Sequence, residues 1–193
     1  LKRKMLAARE DLVNKVLKIA GRKNVKLYGM INETLELVIR ADEMGLSLEE
    51  VVDQYGIMKA ARDAGFVPVV ESLMYDIVEK VLQRNKRWVT KKWYEAGQWY
   101  GKYYSVRLPQ DPVKAFRDDI CSFTWNVSEF SIMENEDKAE VMVRCVSPRF
   151  PLSYTTLFSV FLEGALNTFG YDCVNRGVSK GIIRLRFRKA EAE

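Results

Sequence analysis

Residues 1–45 place the tightest limit on what this chain can fold into. They hold a short basic stretch, Lys2-Arg3-Lys4-Met5-Leu6-Ala7-Ala8, and two segments of helical periodicity separated by Gly21-Arg22-Lys23-Asn24. Over residues 9–21, Leu12, Val16 and Ile19 recur on one stripe that Val13, Leu17 and Ala20 widen, while Arg9, Lys15, Lys18 and Arg22 fall outside it. Gly21 is the expected stop of this helix. Asn24 is the expected N-cap of a second helix that runs to about Met44 and buries Leu27, Ile31, Leu35, Val38 and Ile39. A segment this short cannot enclose two apolar faces by itself. Its stripes find too little partner surface within one chain, so a homodimer is expected.

Charge sets the same segment apart. Residues 1–26 carry nine Lys/Arg against Glu10 and Asp11, whereas the whole chain has a net charge of +5. The remaining residues are therefore slightly acidic, and residues 28–79 hold eleven Asp/Glu against three Lys/Arg. A basic end on an otherwise near-neutral chain is an electrostatic footprint for a polyanion. The acidic stretch behind it is not expected to touch one.

The chain has no histidine, which removes whole classes of chemistry. Ser-His-Asp and Cys-His nucleophile pairs, HExxH zinc sites and proximal-His haem are all excluded. No Walker loop or GxGxxG fingerprint is present. Cys121, Cys145 and Cys173 are odd in number and lack a CxxC pair, which fits a reducing compartment better than a disulfide framework. No apolar run approaches the ~18 residues that span a bilayer, and the basic start is followed by an amphipathic pattern instead of an apolar signal core. The expectation is a cytoplasmic, non-enzymatic protein without cofactor or metal.

Further along, Ser47-Leu48-Glu49-Glu50 reads as a capping box opening a third helix that closes at Gly65. Pro68 keeps Phe66–Val69 extended, and helices follow over about 71–84 and 86–105. Asp111-Pro112 supplies N-cap and N1 of a sixth helix carrying Val113, Phe116, Ile120 and Phe123 inward. After Trp125 the apolar period changes from about 3.6 to 2. Residues 127–133 and 139–147 form a hairpin around Glu134-Asn135-Glu136-Asp137. Ser153 opens a seventh helix that ends at Gly170, and residues 171–178 and 182–188 make a second hairpin. In its last strand Ile183, Leu185 and Phe187 face one way, and Arg184, Arg186 and Arg188 the other. Aromatic and basic residues interleave between Trp88 and Tyr104, as in single-strand binders. Trp93, Gly97, Tyr100 and Tyr104 share one helical stripe, however, so core packing is the favoured reading. Gly97 and Gly101, four apart, point to a close approach by another element.

The order of one strand and two helices in the first 45 residues resembles a ribbon-helix-helix DNA-binding unit. In that family two chains pair their strands antiparallel, and the resulting ribbon enters the major groove, where outward side chains read base edges. The resemblance implies contacts from Lys2, Arg3, Lys4 and Met5. Counting back from Leu12 puts Arg3, Met5 and Ala7 on the groove face, and a slip of one residue puts Lys2 and Lys4 there instead. Backbone amides at the start of the second helix clamp a phosphate in such proteins, which here implies Asn24, Val25 and Lys26. A dimerisation module without DNA contact is the alternative for this segment.

Tyr94-Glu95-Ala96-Gly97-Gln98-Trp99-Tyr100-Gly101, Phe161-Leu162-Glu163-Gly164-Ala165-Leu166 and Ile183-Arg184-Leu185-Arg186-Phe187 resemble a 4-vinyl-reductase-type ligand-binding domain. That fold is shared with the Bet3-like subunits of a tethering complex. The resemblance covers roughly residues 70–189 and implies a helix-packed pocket for an apolar or metal-linked ligand. The family's cysteines are mostly missing: Cys145 matches one, Ser153 or Thr155 lies near a second, and Ser179 and Leu185 replace two more. One thiol without histidine cannot build a four-ligand metal site, and Cys145 shares a strand face with Val141 and Val143. Tyr154, Trp125 and Phe158 are candidate pocket walls. Glu163, alone in an apolar helix, either faces solvent, pairs with an arginine or serves the pocket.

The expected fold is α+β: a strand-helix-helix dimerisation unit over 1–45, a helical connector over 46–85, and a C-terminal α+β domain over 86–189 with antiparallel hairpins packed on helices. The expected function is a dimeric, sequence-specific regulator of transcription that binds double-stranded DNA and senses an apolar small molecule, with no membrane partner. An interaction scaffold of the Bet3-like kind is the alternative.

Overall fold

The computed structural model describes residues 4–125 and 127–190. The protein is mixed α+β, and the chain divides between Met58 and Lys59 into two compact units. The first contains α1 (Glu10–Lys23), α2 (Leu27–Glu43) and most of α3 (Leu48–Asp63). The second contains α4 (Glu71–Arg84), α5 (Lys86–Arg107), α6 (Pro112–Phe123), β1 (Glu129–Glu134), β2 (Glu140–Val146), α7 (Leu152–Thr168), β3 (Tyr171–Ser179) and β4 (Ile182–Lys189). It also takes in part of the stretch read from sequence as a connector.

In the first unit the opening strand is not formed. Residues 4–9 have no regular secondary structure, and the first element is a helix. An extended segment in one chain has no neighbour to receive its ladder of N–H and C=O groups. Helix α1 runs through Gly21 and stops at Asn24, whose backbone is left-handed with φ 53°. There the Asn24 amide donates to Gly21 O and the Val25 amide to Ala20 O, at 3.2 and 3.0 Å. Asn24 thus ends α1 instead of opening α2, because asparagine tolerates the left-handed C-terminal position almost as glycine does. At Ser47 the capping box is formed in both directions: the Glu50 amide donates to Ser47 Oγ at 3.1 Å, and the Ser47 amide to Glu50 Oε2 at 2.6 Å.

The expected burial of the α2 stripe does not occur within one chain. Among the described residues of this unit only Ala20 and Ala41 are buried. Ile31, Leu35, Val38 and Ile39 stay 37–58% exposed, and Leu12 and Leu17 of α1 are also exposed. Two helices side by side cover one flank of each other and leave the rest of each apolar face open to water.

The second unit is organised around α7. The chain makes one hairpin, crosses through α7, then makes another, and the antiparallel sheet has the order β1-β2-β4-β3. Val141, Val143 and Cys145 of β2 and Ile183, Leu185 and Phe187 of β4 all point to one buried face. Most of α7 is buried around its circumference, from Thr155 to Leu166, because the sheet takes one side and α5 and α4 take others. Its apolar run with Glu163 as the lone charge is the sequence of such a central helix. Helix α4 joins this core through Val78, which clusters with Val89 of α5 and Leu157 of α7. Asp111 caps α6 by accepting from the Lys114 amide at 3.1 Å, with Pro112 in the first turn.

Helices α5 and α7 cross where both have shed their side chains. A Cβ on Gly101 would sit 2.7 Å from the Ala165 carbonyl oxygen, while one on Gly97 or Gly164 would collide with the Phe161 or Tyr94 carbonyl. At Gly97 and Gly164 every colliding atom is backbone, so the helices themselves would have to part, whereas at Gly101 the Thr168 side chain is met as well. Gly97→Ala and Gly164→Ala should each destabilise the second unit by about 3 kcal/mol, at the upper end of overpacking effects. Gly56→Ala in α3, where a Cβ meets nothing within 4 Å, should instead add roughly 0.5–1 kcal/mol. Chemical denaturation of the three variants checks both signs.

Candidate nucleic-acid interface

The basic segment presents its charges on two surfaces of the first unit. Lys4 and Met5 lie in the irregular stretch ahead of α1, and both are exposed, Met5 completely. Lys2 and Arg3 lie outside the described residues. Arg9 is occupied locally, its guanidinium donating twice to the Asp11 carboxylate at 3.0 and 2.9 Å. On α1 itself Lys15, Lys18 and Arg22 stand at i, i+3 and i+7, and with Ile19 and Gly21 they line an open concavity of about 780 Å³. These three cations are absent from the contacts implied by the ribbon-helix-helix resemblance. Their helical spacing, outside the apolar stripe, is the signal that finds them.

Between α1 and α2 the structure places Asn24, Val25 and Lys26 together but assigns them different tasks. The amides of Asn24 and Val25 are already donated to the end of α1. Lys26 is the N-cap position of α2 and makes no side-chain cap. A phosphate approaching this turn would meet the amides of Lys26 and Leu27 and the Lys26 ammonium, beside the positive end of the α2 dipole. Two of the three amides implied by the resemblance, those of Asn24 and Val25, are thus used within the chain.

The aromatic-basic helix of the second unit is mainly structural. Trp93 packs edge-on against Tyr154, Tyr100 OH donates to Ala64 O at 2.6 Å, and buried Tyr104 donates to Asp119 Oδ2 at 2.8 Å. Trp88 and Trp99 remain exposed, and Tyr103 stacks on Trp99 at 5.8 Å. On the open face of the sheet, Arg186 and Arg188 share Glu140, at 2.7 and 3.3 Å. Glu140 is held below the usual carboxylate range, chiefly by its hydrogen bond from Arg186. Arg184 has no ion pair among the described residues and stands opposite Arg144, which pairs with Glu129 at 3.1 Å.

The residues read from sequence as pocket walls do not stand together. Tyr154 and Phe158 belong to an aromatic cluster with Phe150, Tyr75, Trp93 and Phe161, whereas Trp125 is at the surface. Thr155 is buried and used: its hydroxyl donates to Pro151 O at 2.9 Å and accepts from the Gly181 amide at 3.1 Å, tying α7 to the β3–β4 turn. Ser153 Oγ is buried without a partner. Leu185 is a core residue. Glu163 forms an ion pair with Arg176 of β3. Cys145 is fully buried between the apolar residues of its strand face, and burial pushes its thiol up to about 12. Among the described residues no group of three or more Cys, Asp or Glu is arranged to hold a metal ion.

The sequence matches no protein-family model, and a search of curated proteins finds no relative.

Burial dominates the acid–base behaviour of the second unit. Burial holds Tyr154 protonated up to about 12, and burial together with a hydrogen bond to Glu134 does the same for Tyr171. The unfolded chain would release these protons near their ordinary values of about 10 for tyrosine and 8.5 for cysteine. Between about pH 9 and 12 the unfolded state therefore binds fewer protons than the folded one, and stability falls as pH rises. Urea midpoints should be level across neutral pH and drop steadily above about pH 9. At pH 8 Cys145 should resist iodoacetamide in the native protein and react fully in denaturant, as peptide mass mapping would report.

Proposed function

We propose that this chain is a homodimeric DNA-binding regulator, whose first unit contacts duplex DNA and whose second unit is the ligand-responsive part. The observation that carries the proposal is the first unit's combination of open apolar faces and concentrated positive charge. Ile31, Leu35, Val38 and Ile39 are left half-exposed by their own chain. Covering that remaining area would contribute about 1 kcal/mol for each side chain. A second copy is the natural cover, because residues 4–9 then also gain what a strand requires, an antiparallel neighbour. Pairing them gives the two-stranded ribbon of a ribbon-helix-helix dimer, with Lys4 and Met5 on it and Lys26 of each copy flanking it. Arg3 with Met5, or Lys2 with Lys4, would face the groove according to the register adopted.

Two measurements test the reading. Sedimentation equilibrium at micromolar concentration should give twice the 22.4 kDa chain mass. A mass of one chain would remove the ribbon, since that arrangement has no stable monomer. Mobility shifts on random duplex DNA should weaken steeply from 50 to 200 mM salt, as counterion release requires. Deletion of residues 1–8 should abolish the shift, and Lys26→Glu should weaken it alike on all sequences. A dimer that does not shift DNA at either salt concentration would favour the interaction scaffold.

A further inference from the structure

The second unit has an open groove of about 640 Å³ lined by Lys86, Arg87, Thr90, Lys91, Tyr94, Val160, Glu163 and Arg176. Its walls come from α5, α7 and β3, three elements of one packed core. We propose that it is a binding site for a small organic anion with a flat apolar body, the carboxylate or phosphate head lying against α5.

Charge is the first support. Lys86, Arg87, Lys91 and Arg176 face a single carboxylate, Glu163, which is already paired with Arg176. Lys91 shares Glu95 with Lys92, at 3.7 Å against 2.7 Å for Lys92. Lys86 and Arg87 have no ion pair among the described residues. Both stand in the first turn of α5, which contains no acidic residue. A helix's positive end disfavours cations there. The local charge therefore opposes the helix, and an anion in the groove would relieve it.

Shape and polarity supply the rest. Val160 is buried on the floor, and Thr90 and Tyr94 are half-buried beside it. Tyr94 is fixed, since its hydroxyl donates to Asn167 Oδ1 at 2.6 Å, so its ring is a standing wall. The volume falls within the ~300–1,000 Å³ typical of small-molecule sites. An apolar floor under a positive rim favours a ligand with one charged end, because a fully polar anion would leave the floor unmatched. The Glu163–Arg176 pair is locally neutral, so the unpaired positive charge lies at the Lys86 and Arg87 end of the groove.

Binding at this groove stands apart from the DNA reading, and only an effector role for its ligand would rest on that reading. The test uses 2-naphthoate and its neutral isostere 2-naphthamide in heteronuclear NMR titrations of the full chain. Naphthoate should bind at least tenfold more tightly than the amide and shift the Arg87, Tyr94 and Val160 signals together. The double variant Lys86→Glu/Arg87→Glu should weaken naphthoate at least tenfold and leave naphthamide unchanged. That variant puts acidic residues at a helix N-terminus, so it should melt no lower than the parent. Equal affinity for acid and amide, no binding of either, or an unchanged affinity in the double variant would each overturn the proposal. A mobility shift with the same variant separates the two readings: DNA binding lost while naphthoate affinity holds would also refute it.

Discussion

The second unit depends on the contact between α5 and α7, where Gly97 and Gly101 meet Gly164 and Ala165. With no Cβ on the three glycines the two backbones come close enough for carbonyls of one helix to occupy the space over the glycines of the other. This closeness lets α7 be shared. One side lies on β3 and β4, and the other still reaches α5 and α4. The aromatic cluster from Tyr75 to Phe161 fills the margin of the crossing, and the Tyr94–Asn167 and Tyr104–Asp119 hydrogen bonds fix α5 against α7 and α6. Side chains of ordinary size at these glycines would push α5 outward and open the interior that Leu157, Leu162 and Leu166 now close.

The same crossing governs what surface the second unit can offer. Because α7 is buried almost all round, its one charge, Glu163, emerges only at the edge beside β3, where Arg176 meets it. The first turn of α5 is carried to the same edge, bringing Lys86, Arg87 and Lys91 alongside. An aromatic-packed interior and a charged groove are thus two outcomes of one packing arrangement. The interior has no thiol free for chemistry, since Cys145 is sealed among valines and held protonated by burial.

The first unit follows a different rule. Its helices are well formed at their ends, by the left-handed Asn24 and by the Ser47–Glu50 capping box, yet among its described residues only two alanines are buried. Local signals and tertiary satisfaction have come apart here. A chain that specifies helix boundaries but leaves its leucines and isoleucines in water is the pattern expected of a subunit whose core is completed by association. If the first unit assembles as proposed, the basic character of the same segment would give that assembly a surface suited to a polyanion.

Much of this was legible from the residues alone. Period and cap chemistry located α4, α6 and α7, the two hairpins and the capping box, because those features depend on neighbours within a few positions. The spacing of Gly97 and Gly101 announced a close approach, though not by what. Gly21 was the expected stop of α1 and Asn24 the expected N-cap of α2, whereas Asn24 takes the left-handed position that ends α1 and is then unavailable to α2. The strand before α1 and the burial of Ile31 and Leu35 could not be decided locally, since each needs a surface that α1 and α2 together do not provide. Glu163 gave three readings in sequence and one in the structure, because its arginine lies on a strand thirteen residues away that only folding brings beside it. The sequence by itself determined most of the elements, the Ser47 and Asp111 caps and the uneven charge, all short-range properties. Tertiary structure alone decided that Gly164 answers Gly97, that Tyr154 packs against Tyr75, Trp93 and Phe150, and that four cations meet at one groove, since each depends on groups remote in the chain.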